Sequence, residues 1–316
     1  MELVIALLLL VLGFIGLIKG ADLFVVASSK IAQKFNIPMI VIGLTIVAMG
    51  TSAPEAAISI TASFNQASGI TIGNIVGSNI MNILLILGIC ATIHPLKVGI
   101  STQKYEMPFV IGITFVLLGL GYLGNSITRA DGAVLFGLFI LFLVYLYQLS
   151  KKGENNSDEI ELLQPTDTLT KLLLLVLVGI VLIVGGSKLT VTGATTIART
   201  FGISERIIGL TIVAFGTSLP ELMTSVTAVK KGHVDLAIGN IVGSNIFNIL
   251  FVLGISGLVS PAPIPYSYEF ILDTVVAILA AIVLWLGCGK KRELSRSTGI
   301  FMLVIYACYF VFLLVK

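Results

Sequence analysis

Shifted along itself by 166 residues, this chain aligns positions 37–89 with 203–255 without a gap, giving 31 identities in 53 columns. Around that repeat, apolar stretches of about 20 residues, the length that crosses a hydrocarbon core, recur ten times. They lie near 4–28, 39–63, 70–92, 107–123, 130–149, 172–198, 206–229, 236–260, 270–288 and 298–315. Five fall in each half. Because five is odd, a chain that enters the membrane one way in its first half must enter it the other way in its second. The expected fold is an all-α polytopic membrane protein, with ten transmembrane helices as two inverted five-helix repeats. Residues 1–150 form the first repeat, 151–169 a polar linker and 170–316 the second. Such repeats, related by a pseudo-two-fold axis in the membrane plane, bring equivalent segments together near the midplane, as in many secondary transporters.

Composition agrees: of 316 residues, 57% are hydrophobic and 11% charged, with a mean hydropathy of +1.08, outside the soluble globular range. The first apolar stretch opens on Glu2 without a basic flank and is too long for a signal-peptide core, so it reads as a retained helix. With the N-terminus outside, the inner loops hold thirteen basic residues from Lys30 to Arg296, while Arg129, Arg199, Arg206 and Lys316 remain outside. That asymmetry places both termini outside a plasma (inner) membrane and the linker in the cytoplasm. The linker is too short for a domain, and Glu154, Asp158, Glu159 and Glu161 read as solvating charges. Cys90, Cys288 and Cys308 lack metal-ligand spacing and read as packing thiols, and His94 and His233 read as solvated loop residues. No nucleic-acid footprint and no obligate protein partner is evident.

The repeat carries its chemistry in GLTIVAMGTSAPE at 43–55 and GLTIVAFGTSLPE at 209–221. Each copy sets one glutamate, Glu55 or Glu221, inside an apolar span, where a carboxylate costs roughly 2.5–3.5 kcal/mol even on lenient scales. Pro54 and Pro220 each lack an N–H and clash with the carbonyl four residues back, so both helices must break near Gly50 and Gly216. Backbone freed at membrane depth is tolerated only where it lines a cavity or is buried in protein. Thr51 and Glu55 are four apart and can direct oxygens to one point. Ser52 and the Ala48 carbonyl lie beside them. The second copy offers Thr217, Ser218, Glu221 and the Ala214 carbonyl. Downstream, GNIVGSN places Asn74, Ser78 and Asn82 every four residues, repeated as Asn240, Ser244 and Asn248. Glycines Gly73, Gly77, Gly239 and Gly243 permit close helix approach.

All of these are hard oxygen donors. Calcium takes six to eight of them in flexible geometry, at about 2.3–2.6 Å. Sodium accepts the same ligands. With no histidine or thiol among them, zinc, copper and iron are poor candidates. The cations expected are Ca²⁺ and Na⁺, as transported substrates rather than resident cofactors; no organic cofactor is implied. Two neighbouring carboxylates would be neutralised by one Ca²⁺, by several Na⁺ or by protons. Mutually exclusive occupancy of that kind yields exchange.

At these residues the chain resembles the sodium/calcium exchanger family of the cation/calcium exchanger superfamily, in a potassium-independent prokaryotic type. GTSAPE and GTSLPE, each followed by GNIVGSN, are similar to its two alpha repeats. The resemblance implies a ten-helix fold with Glu55 and Glu221 as calcium-binding acids. Thr51, Ser52, Thr217 and Ser218 would stand alongside, and Ser78, Asn82, Ser244 and Asn248 would complete the sodium and calcium sites. It also implies that the long first and sixth helices slide across the core, and that transport is electrogenic. Asn248 stands where potassium-dependent members carry aspartate, and the large calcium-sensing insert of animal members is absent.

Three other readings compete. A Ca²⁺/H⁺ antiporter would use the same acids as proton carriers, but that branch usually has an acidic or histidine residue after GN, where this chain has Ile75, Val76 and Gly77. A passive cation channel would not need coupled counter-ions. An enzyme, such as an intramembrane hydrolase, would need a base to activate Ser52 or Ser218, and no intramembrane histidine supplies one.

Overall fold

The computed structural model describes residues 2–65, 68–151, 167–202 and 214–315. Among them, eight helices are long and apolar enough to cross a membrane, and a bent pair makes a ninth span. Helix α1 (Glu2–Lys34) is followed by the bent pair α2 (Met39–Thr51) and α3 (Ala53–Phe64), inclined at 54°. Then come α4 (Gly69–Ile93), α5 (Thr102–Gly124), α6 (Arg129–Ser150) and α7 (Leu169–Thr200). The short α8 (Ala214–Thr217) and α9 (Leu219–Lys230) precede α10 (Val234–Val259), α11 (Tyr268–Gly287) and α12 (Arg296–Val315). The first part of the seventh expected span, residues 206–213, and most of the linker, 152–166, lie outside the described residues.

Lipid offers no hydrophobic force to drive helices together, so close backbone approach must do more of the work. Antiparallel α1 and α7 meet glycine to backbone. A Cβ on Gly13 would stand 2.8 Å from the Gly186 carbonyl, one on Gly20 2.9 Å from the Gly179 carbonyl, and one on Gly193 2.6 Å from the Ala6 carbonyl. Their outward faces are apolar and exposed, as in Leu8, Leu12, Leu174 and Val181. Helix α10 is buried on all sides from Leu236 to Ile246, the mark of a central helix. Gly239 and Gly243 let α2 lie on it: their added Cβ atoms would come 2.8 Å from the Ile40 carbonyl and 2.7 Å from the Leu44 Cα.

Helices pack crosswise between the halves. Gly132 of α6 meets α10, where an added Cβ would lie 2.7 Å from the Gly254 carbonyl; correspondingly, Gly299 of α12 meets α4, 2.8 Å from the Gly88 carbonyl. Phe139 of α6 adds an edge contact to Phe247 of α10, with ring centroids 6.0 Å apart. Two short ribbons repeat the pattern. Strand β1 (Leu96–Lys97) before α5 pairs antiparallel with β4 (Glu293–Leu294) before α12. Strand β2 (Ser126–Ile127) after α5 pairs with β3 (Ile264–Pro265) before α11. One ribbon therefore caps each end of the bundle.

One expectation about the histidines changes on contact with the structure. His94 is exposed as expected, but His233 is buried, because Gly232, at φ +82°, turns the chain so tightly between α9 and α10 that the ring folds under the turn. The four acids read as solvating charges lie outside the described residues, which resume at Asp167, whose buried carboxylate meets Lys30 at 3.0 Å and Lys171 at 3.5 Å while Lys34 donates to its carbonyl at 2.9 Å.

Backbone against backbone leaves nothing to yield, so Gly132→Val is expected to cost about 1–3 kcal/mol or more, read as a lower midpoint of thermal unfolding in detergent. Gly137→Val, one and a half turns along the same helix with nothing described within 4 Å of its added Cβ, is expected to leave that midpoint almost unchanged.

Candidate functional site

The proline breaks form as their sequence requires. Helix α2 ends at Thr51 and α3 begins at Ala53 with Pro54 in its first turn, where a missing N–H is harmless; α8 and α9 repeat this around Ser218 and Pro220. Glu55 and Glu221 thus stand in the first turns of α3 and α9, where the helix dipole favours negative charge. Both are buried, with 1% of their surface exposed. The carbonyl freed by the second break has a partner from a neighbouring helix, since Ser187 of α7 donates to the Gly216 oxygen at 2.5 Å.

The hydroxyls do not serve their own acids. Ser52 donates to Glu221 Oε1 at 2.7 Å, and Ser218 donates to Glu55 Oε1 at 3.4 Å. Thr217 lies beside the Glu55 carboxyl, and Thr51 beside that of Glu221. The single-helix approach of Thr51 and Glu55 anticipated from their spacing gives way to this exchange, because the 54° bend between α2 and α3 falls between them. Thr51 Oγ1 instead lies 3.0 Å from the Asn240 amide oxygen and 3.0 Å from the Val47 carbonyl. The Ala48 carbonyl accepts from the Ser52 N–H at 3.0 Å. Ala214 opens α8 one turn before Ser218.

The asparagines divide into two sets. Asn74 donates to Ser59 at 2.9 Å and to the Glu55 carbonyl at 3.4 Å, while Asn240 donates to Ser225 and to the Glu221 carbonyl at the same two distances. These two hold the acid-bearing helices against α4 and α10. Asn79 and Asn245, passed over because they fall off the every-fourth-residue stripe, clip α4 to α10: each donates to the other's carbonyl at 3.2 Å. Their side-chain oxygens accept from Asn248 at 3.1 Å and Asn82 at 3.0 Å. The available signal was the Ser-Asn pair repeated in both cores. Asn82 opens a π-helical turn, Asn82–Leu87, and Asn248 lies in another, Phe247–Val252, a feature common at functional sites.

Among the described residues, what remains is a set of buried acceptors without hydrogen bonds: Glu55 Oε2, Glu221 Oε2, Asn82 Oδ1 and Asn248 Oδ1, together with the Ser244 hydroxyl. Ser78 is buried with them in α4. Each unsatisfied buried group costs about 1–3 kcal/mol, more where charged, and the four acceptors come in repeat-related pairs. Acceptors of this kind, oxygens with no donor, are what the coordination shell of a hard cation requires. Among the described residues no cluster of three or more His, Cys, Asp or Glu occurs, so the donors are two carboxylates and neutral oxygens, a set suited to calcium and sodium.

Comparison with known proteins meets this geometry. The family described as sodium/calcium exchanger protein matches residues 5–148 and 171–315. The chain belongs to that family. It is 42% identical over 315 residues to a proposed antiporter, CaxA, of Alkalimonas amylolytica, covering 96% of this chain and 97% of that one. It is also 34% identical to the sodium/calcium exchanger MaX1 of Methanosarcina acetivorans, covering 97% of each. A solved structure of the sodium-calcium exchanger NCX_Mj soaked with Na⁺ and Sr²⁺ superposes with a TM-score of 0.83 at 36% identity, over 97% of both chains. Members of this family are membrane exchangers of cations, calcium among them.

Two further acids escaped sequence reading. Glu106 of α5 accepts from the Tyr145 hydroxyl of α6, and Asp273 of α11 accepts from Tyr309 of α12 at 3.0 Å. They are 167 residues apart, so the 166-residue shift that exposes the repeat does not align them. Each ties together two lateral helices of one half.

Because Asn79 and Asn245 share one network, their truncations will not add. Asn79→Ala and Asn245→Ala are each expected to lower the unfolding midpoint, and the double variant to lose less than the sum. The coupling should fall at about 0.5–3 kcal/mol; strict additivity in a double-mutant cycle would argue against the clip.

Proposed function

We propose that this sodium/calcium exchanger family member is a secondary active antiporter that trades Na⁺ for Ca²⁺ by alternating access. The observation carrying this reading is the mirrored set of buried acceptors at Glu55, Glu221, Asn82 and Asn248, each without a hydrogen bond among the described residues. Calcium would bridge the two carboxylates, with Thr51, Ser52, Thr217, Ser218 and the Ala48 and Ala214 carbonyls at the breaks. Sodium ions would spread over these groups and Ser78, Asn82, Ser244 and Asn248. Since one Ca²⁺ or several Na⁺ neutralise the same acids, the two loads exclude each other. A site emptied of both leaves bare carboxylates that are too costly to carry between faces, so only loaded carriers turn over. More sodium than calcium charge would move per cycle, which makes transport electrogenic. Asn248 in place of an acid favours independence from potassium.

In this reading the chain comprises ten spans in two inverted halves, 1–150 and 170–316, with both termini outside and the linker 151–169 in the cytoplasm. The close α1/α7 pair would move as one body against the core. The relatedness to MaX1 and to NCX_Mj supports the choice of ions.

The test is calcium uptake into proteoliposomes driven by an outward sodium gradient, with pH clamped and potassium absent. Uptake that follows sodium and generates a membrane potential is the expected result. Uptake that follows an imposed proton gradient instead would assign the Ca²⁺/H⁺ alternative, and ion conduction without a counter-ion would assign a channel. Glu55→Gln and Glu221→Gln are each expected to reduce coupled flux by about a hundredfold or more, as loss of a buried charge partner of several kcal/mol implies, with the variants still folded by thermal unfolding in detergent. Preserved exchange in both would refute the roles given to these acids.

A further inference from the structure

The end of the bundle capped by the β1/β4 ribbon carries a cleft of about 640 Å³ between the start of α5 and the turn joining α11 to α12. Lys104, Lys290 and Arg292 line it, with Trp285, Ile100 and Leu286. No acid lines it, and among the described residues none of the three cations has an ion pair. Lys104 does lie over the Tyr105 ring, 5.4 Å from its centroid.

The cleft is a built feature. Trp285 donates to the Gln103 carbonyl at 2.9 Å, and the Gln103 amide donates to the Gly289 carbonyl at 2.9 Å, so the two walls are bonded to each other. Gly289 and Arg292 adopt positive φ, +52° and +51°, in the tight turn that presents Lys290 and Arg292. Trp285 lies in the last turn of α11, where an apolar span meets water and where indoles concentrate.

From the unpaired positive charge, the interfacial tryptophan and the apolar floor at the end of a membrane span, we propose that this cleft binds an anionic phospholipid of the cytoplasmic leaflet. Its phosphate would meet Lys104, Lys290 and Arg292, and the first carbons of an acyl chain would lie on Ile100 and Leu286. Basic pockets between transmembrane helices attract such headgroups on the cytoplasmic side. Because β1 and β4 join the same two loops, the lipid would brace one half of the fold against the other.

The test uses the full-length protein and does not depend on its transport activity. Purified protein is reconstituted with phosphatidylglycerol or phosphatidylcholine, and retained lipid is counted by native mass spectrometry after detergent exchange. Wild type is expected to keep one phosphatidylglycerol and to unfold at a higher temperature with it than with phosphatidylcholine. The triple variant K104Q/K290Q/R292Q is expected to retain it about tenfold less or worse. K151Q/K171Q/K230Q, which removes the same number of charges away from the cleft, is expected to behave as wild type. Equal retention in the cleft variant, or equal loss in the control, would overturn the proposal. So would protection by inorganic phosphate as strong as that by the lipid.

Discussion

A carboxylate sunk in a membrane protein can be kept only if something else meets its charge, and this chain sinks two. Neither is satisfied by its own helix. Glu55 takes its hydroxyl from Ser218, and Glu221 takes its hydroxyl from Ser52, so each half of the molecule depends on the other for a donor to its acid. One oxygen of each carboxylate is met in this way; among the described residues the second has no donor. A site designed only to bury acids would have completed the hydrogen bonding. One designed to release and rebind cations must leave that oxygen to the ion, because a fully bonded carboxylate would compete with its load.

The same exchange of partners runs through the packing. Helix α6 of the first half rests on α10 of the second through Gly132, α12 of the second rests on α4 of the first through Gly299, and the two ribbons join loops of opposite halves. In lipid, where apolar burial gives little net attraction, such contacts and the asparagine clip between α4 and α10 must hold the core. This explains why the repeat is preserved where it is. Glycine, asparagine, serine and threonine make up about half of positions 43–55 and 73–82 and of their copies. The lateral spans, which need mainly apolar surface toward lipid, have diverged.

Much of this was legible in the chain, and the limits have physical causes. Apolar length gave the spans, and the repeated glutamates, prolines and hydroxyls marked the breaks, because the cost of an intramembrane acid or proline is local and visible residue by residue. Which hydroxyl meets which acid was not legible: spacing describes a single helix, and the 54° bend between Thr51 and Glu55 removes the geometry on which that spacing argument rests. Asn79 was missed for a related reason. The stripe was drawn at a constant interval of four, whereas a helix with 3.6 residues per turn also brings positions three apart onto one face, as with Asn79 and Asn82. The burial of His233 followed from a left-handed glycine in a two-residue turn, and Glu106 and Asp273 from a register that slips by one between the halves.

That slippage has company, and together these differences bear on how the two halves share one task. A perfect inverted repeat would make its two faces energetically equivalent. Here the carbonyl freed at Gly216 is held by Ser187, whereas the position equivalent to Ser187 in α1 is Ala21, which has no hydroxyl to offer Gly50. Lys231, at the end of the helix that begins near Glu221, is ion-paired at 2.8 Å with Asp22 of α1. Its counterparts in the other half are Asn65 and Lys188, which cannot form such a pair. Each difference stabilises one arrangement of α1 and α7 against the core without a matching term for the reverse arrangement. Such terms are small, about 0.2–1 kcal/mol for an exposed ion pair, yet a shift of that size already moves a two-state equilibrium severalfold. In the proposed function, the symmetric core would supply the ion chemistry, and the asymmetric periphery would bias which face the loaded carrier favours.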